Sequence, residues 1–189
     1  MKRLFAALKI NPDKDFLSAY RNLKAELHHE HIKWVEEHNI HITLKFFGET
    51  EEGKIPAICS VLKTRAEITP PILLQLSGLG LFGRSSAPKV IWVGIDPYEQ
   101  LSLLMKNIHT DLSRVGYEPD RQNLVPHLTL GRIKLLRDKI IFRRTLDLYR
   151  DIKSVPVRTG EIILFESTLH REGPEYVILD RFQFKKELP

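Results

Sequence analysis

The sequence predicts an α+β fold in two related lobes, with antiparallel sheets facing each other across a central cleft and helices on the outside. Three observations predict it. Segments of strand-like and helix-like hydrophobic period follow one another in the order β-α-β-α-β-β-α-β-α-β-β. The connections between them are short and in places hairpin-like, as antiparallel sheets allow. One tetrapeptide pattern occurs twice, as His41-Ile42-Thr43-Leu44 and His127-Leu128-Thr129-Leu130, 86 residues apart and each time after a helix.

Residues 3–10 read as the first strand. Pro12-Asp13 opens a helix whose apolar residues Phe16, Tyr20, Leu23 and Leu27 recur at three- and four-residue steps, ending near His29. Residues 39–47 form a strand closed by Gly48, and Ile55, Ile58, Leu62 and Ala66 mark a helix over 51–68 that Pro70-Pro71 stops. Residues 72–81 and 89–95 are strands joined by the polar loop Gly83-Arg84-Ser85-Ser86-Ala87-Pro88, with Trp92 expected in the core. Leu101, Leu104, Ile108, Leu112 and Val115 then define a helix with Gly116 placed to cap it. A strand over 127–133, a helix over 139–149 and strands over 155–166 and 176–184 complete the order.

Length bounds the domain count. The 189 residues suit one globular unit, so residues 1–189 are taken as a single bilobal domain. No apolar run approaches the roughly 20 residues of a membrane helix, and Lys9 and Pro12 interrupt the apolar start of the chain, which argues against a signal peptide. Cys59 is the only cysteine, so neither an internal disulfide nor a multi-thiolate zinc site can form, and a cytoplasmic setting is expected. The net charge is +5. From Arg132 to Lys153, eight Lys or Arg stand against three Asp, which makes this stretch the candidate contact for a nucleic-acid backbone or, more blandly, a solvated helix face.

On a strand, alternate side chains share a face, so His41 and Thr43 point one way while Ile42 and Leu44 point the other. The second motif repeats this arrangement. With the apolar residues in each lobe's core, two histidines and two threonines are left facing the cleft, where they can surround one tetrahedral phosphate. Histidine titrates near pH 6.5, which lets one ring be neutral and another protonated. A neutral ring would deprotonate an attacking water, a protonated one would protonate the departing oxygen, and the hydroxyls would hold the non-bridging oxygens. Arg132 could add charge from the end of the second motif's strand.

The segments Arg3-Leu4-Phe5-Ala6-Ala7, Asn39–Glu49 and Pro126–Arg132 resemble the markers of the two-histidine (2H) phosphoesterase superfamily, and more narrowly its LigT-like branch of RNA 2′,3′-cyclic phosphodiesterases. Val90–Gly94, Gly116-Tyr117 and Glu166–Leu169 with Gly173 and Tyr176 extend the likeness along nearly the whole chain. The resemblance implies a pseudo-twofold axis between the lobes and hydrolysis of an RNA terminal 2′,3′-cyclic phosphate to a 2′-phosphomonoester, with no metal and no cofactor. It further implies that tRNA halves can be joined through a 2′-5′ linkage. By position, His41 matches the proton donor, His127 the proton acceptor, and Thr43, Thr129 and Arg132 the phosphate ligands. No obligatory protein partner is implied.

Other readings stay open. His28, His29, His31, His38 and His41 form a histidine-rich stretch, but its spacing lacks the pair of ligands on one helical face that zinc sites use. Trp34 and Phe47 flank the first motif and are candidates for base stacking or for core packing. A protein that binds RNA ends without turnover, or a phosphodiesterase acting on 2′-5′ oligonucleotides or small cyclic nucleotides, would share most of these features.

Overall fold

The computed structural model describes residues 1–118, 125–170 and 173–186. Among these residues nine strands make one antiparallel, curled sheet: β1 (Lys2–Lys9), β2 (His31–Trp34), β3 (His41–Thr50), β4 (Ile72–Arg84), β5 (Ala87–Asp96), β6 (Leu128–Leu135), β7 (Val157–Thr159), β8 (Glu161–Leu169) and β9 (Pro174–Gln183). The helices are α1 (Lys14–Glu26), α2 (Ile55–Ile68), α3 (Glu99–Ser113) and α4 (Lys139–Leu148). None is long and apolar enough to cross a membrane.

The strand order is β7-β4-β5-β6-β3-β1-β8-β9, with β2 paired to β6. It divides into two halves. The first holds β3, β1, β8 and β9 with α2 and α3; the second holds β7, β4, β5, β6 and β2 with α1 and α4. Between β3 and β6 the ladder has a single rung, Ile42 opposite Leu128. Those are the second residues of the two His-x-Thr motifs. The chain visits the halves alternately, so neither is a continuous stretch of sequence.

Local chemistry explains the helix positions. Asp13 Oδ1 accepts from the amides of Asp15 and Phe16 at 3.0 and 3.1 Å, capping α1, and Oδ2 accepts from Val155 N–H at 2.7 Å. Phe16, Tyr20 and Leu23 then face the core. The Tyr20 hydroxyl reaches the carbonyls of Val35 (2.6 Å) and Leu130 (2.9 Å), tying α1 to the segment after β2 and to β6. Asp138 caps α4 in the same way, and the buried Glu30 carboxylate accepts from the amides of Arg137 and Asp138 just before it.

Four expectations from the sequence need correction. The short strand β2 was not foreseen, because four residues beside a histidine-rich turn carry too little alternation to register. The stretch 155–166 is two strands, β7 against β4 and β8 against β1, and Gly160 stands where the chain passes between halves. Periodicity does not reveal a change of partner. The polar loop at 83–88 is shorter than expected, since Gly83 and Arg84 still pair with Pro88 and Ala87, leaving Ser85-Ser86 as the turn. Trp92 is not in the main core: Ile91, Val93 and Ile95 point there, so the intervening Trp92 faces the opposite side of the sheet.

Candidate active site

Around the Ile42–Leu128 rung the two halves present matching groups. Ile42, Leu44, Leu128 and Leu130 are buried in the main core, while His41, Thr43, His127 and Thr129 lie half-buried on the other face. His41, Thr43, Thr129 and Arg132 line a cleft of about 490 Å³. His127, Thr129 and Arg132 line an adjoining hollow of about 520 Å³. Thr129 and Arg132 therefore belong to both.

Each imidazole is anchored alike. Nδ1 of His41 lies 2.6 Å from the carbonyl of Asn39, and Nδ1 of His127 lies 2.8 Å from that of Val125, in both cases two residues upstream. A carbonyl only accepts, so Nδ1 carries the hydrogen and Nε2 is the atom that gains or loses a proton. Burial pushes both rings below the usual histidine range; the carbonyls pull the other way, and the Arg132 charge adds to the lowering. For His41 a charge on His127 lowers it further.

Aromatic rings back each histidine, and these were missed from sequence. Phe5 lies 5.0 Å from the His41 ring, and Tyr176 meets it edge-on at 5.5 Å. Phe5 also stacks on Phe165, and the two form a small second cluster with Ala7 and Ile163. His127 is met edge-on by Phe82 at 4.7 Å, with Trp92 stacked on Phe82. Strict alternation along β1 and β5 was the available signal: Phe5 and Trp92 sit between core-facing neighbours. Tyr176 also lines the cleft, where burial pushes its phenol up against the opposing pull of Arg132 and Arg3, keeping it a neutral donor.

Two bulges set the rest of the site. In β6, Trp92 pairs with Thr129 and Ile91 with Gly131, which leaves Leu130 as the extra residue. The alternation changes phase there, and Arg132 joins Thr129 on the cleft face. In β3, Ala7 pairs with Thr43 and Ala6 with Lys45, leaving Leu44 extra. This second phase change sends Phe46 to the cleft, 45% exposed, where the Arg3 guanidinium sits 4.7 Å over its ring. Phe46 is thus the positional counterpart of Arg132. Of the two readings of Phe47, the same geometry favours packing: it lies against the main core and meets Tyr117 at 5.4 Å. Trp34 does line the cleft, packed against the core and edge-on to Tyr20.

The remaining candidates disperse. His28 bonds the Ala25 carbonyl, His29 lies beside Glu30, and His31 and His38 are exposed. Among the described residues no three His, Cys, Asp or Glu side chains converge on a metal position. Of the basic stretch, Arg132 and Lys134 line the cleft, whereas Lys139, Arg143 and Arg144 are exposed on α4, Arg143 bonding the Ser85 carbonyl.

Residues 8–92 and 93–176 each match the family model described as LigT like phosphoesterase. An RNA 2′,3′-cyclic phosphodiesterase of Methanocaldococcus jannaschii is 32% identical over 94% of this chain and 98% of its own length. Another of that name, from Methanothermobacter thermautotrophicus, is 31% identical over 80% of this chain and 82% of its own. A crystal structure of a Thermus thermophilus protein superposes with a TM-score of 0.78 over 98% of this chain and 100% of that one, at 22% identity.

Proposed function

Because this chain belongs to the LigT like phosphoesterase family, we propose that it hydrolyses the 2′,3′-cyclic phosphate at an RNA 3′ end, leaving a 2′-phosphomonoester. One observation carries the reading: two His-x-Thr motifs flank a single ladder rung, with both imidazoles anchored through Nδ1 to the carbonyl two residues before. The names of the relatives supply the substrate class.

In this reading His127 Nε2 takes a proton from water as the water oxygen attacks phosphorus. The bond from phosphorus to the ribose 3′ oxygen breaks, and that oxygen takes the proton held on His41 Nε2. The Thr43 and Thr129 hydroxyls donate to the non-bridging oxygens, and Arg132 balances the charge that builds on them. Both rings are neutral near pH 7 in the free site, because burial and Arg132 lower them. Bound phosphate brings the negative charge that favours protonating one of them.

The test is product identification on a defined oligonucleotide ending in a cyclic phosphate. A 2′-phosphate product is expected, and a 3′-phosphate would reverse the leaving group. His41→Ala and His127→Ala should each lower kcat by about 10²- to 10⁴-fold with an unchanged circular dichroism spectrum. Near-full turnover by either variant would end the two-histidine mechanism.

A further inference from the structure

The cleft holds more positive charge than one cyclic phosphate uses. Among the described residues, Arg3, Lys33, Arg132 and Lys134 line it against a single carboxylate, Glu36. A nucleoside 2′,3′-cyclic phosphate carries one negative charge, which Arg132 already faces. Arg3 lies over Phe46. Lys33 and Lys134 are left without a task in the hydrolysis of a mononucleotide.

Their placement has a direction. Lys33 on β2 is the cross-strand partner of Arg132 on β6, which puts the two backbones about 5 Å apart. Lys134 follows Arg132 by two residues, about 7 Å along β6. All three side chains are exposed, and none is ion-paired with a carboxylate among the described residues. They make a short row of cations that starts at the phosphate position and runs away from the histidines along the β2–β6 ladder. Two such lysines on the cleft side of a ladder suit an extended polyanion, whose next charge lies one nucleotide away.

Resting on the proposed hydrolysis, we infer that Lys33 and Lys134 bind the phosphodiester 5′ to the terminal nucleotide. The enzyme is thereby a reader of single-stranded RNA ends at least two nucleotides long. The cyclic mononucleotide is the poorer substrate because this second contact has no phosphate to meet.

The experiment compares adenosine 2′,3′-cyclic phosphate with the adenylyl-adenosine dinucleotide ending in the same group. In the unaltered protein the dinucleotide should have a KM about tenfold lower, the size of one charge-assisted contact. In the Lys33→Ala/Lys134→Ala double variant the two KM values should come within about twofold, the KM for the dinucleotide rising several-fold more than that for the mononucleotide. The salt dependence of dinucleotide binding should lose about 0.7 from its logarithmic slope, the share of one single-strand phosphate. Lys139→Ala/Arg144→Ala, on the exposed face of α4, should change neither the KM ratio nor the slope. Equal KM values in the unaltered protein, or a preference that survives in the Lys33/Lys134 variant, would overturn the inference. Should neither compound be turned over, the hydrolytic reading falls, and calorimetric binding of the same pair decides the cation row on its own.

Discussion

A single carbonyl two residues upstream decides which nitrogen of each candidate imidazole can titrate. By holding the hydrogen on Nδ1, Asn39 and Val125 leave Nε2 as the only titrating atom of each ring, in the same geometry in both halves. Their surroundings then set the pH dependence. Both rings are lowered from 6.5, His41 by burial, Arg132 and His127, and His127 by burial and Arg132. Under the proposed mechanism turnover needs one ring neutral and one protonated, a state most populated midway between the two values. The plot of kcat/KM against pH should therefore be bell-shaped with its maximum below 6.5, falling on the alkaline side as the acid is lost. A maximum above pH 7, or a monotonic rise, would show that burial and Arg132 do not govern these groups.

The strands carry the site, and their irregularities matter more than their regularity. Alternation in the two motifs was legible from sequence, and it gave the correct faces for His41, Thr43, His127 and Thr129. The placement of Arg132 beside them depends on Leu130 being an extra residue in β6, and the exchange of Phe46 for Phe47 depends on Leu44 being extra in β3. A bulge is specified by the register of a partner strand far away in sequence, so a one-strand reading misses it. Helices were read more easily, since 3.6-residue spacing is a local property. Gly80 on β4 shows how closely the second half is packed: a Cβ there would enter the Trp92 indole. Gly80→Ala should move the ring that supports Phe82 and His127, costing about 1–3 kcal/mol of stability and lowering kcat more than KM. In the same half, Asp13→Ala removes the α1 cap and the tie to Val155. It should lower the denaturant midpoint by the equivalent of about 1–2 kcal/mol without changing kcat. Burial pushes the Asp13 carboxyl up, but the amides it accepts from together hold it below 3.8. Its contribution is thus present above that pH and is lost only as pH falls through the lowered value.

At the scale of the molecule, the halves are related in structure but interleaved in sequence. β1 and β3 of the first half enclose α1 and β2 of the second, so neither half can lose its strands without releasing part of the other. Unfolding should be a single transition. Trp34 and Trp92 both lie in the second half, so tryptophan fluorescence reports on it alone while circular dichroism reports on both. The two curves should coincide in urea, and separated midpoints would show that the halves melt independently. The Ile42–Leu128 rung bears on motion as well as on assembly. When two plates share one crosspiece, tilting them displaces their far edges most and the crosspiece least. His41 and His127 each adjoin that rung in the chain, so under the proposed mechanism the spacing between acid and base is set at the one place, among the described residues, where the two halves are paired strand to strand.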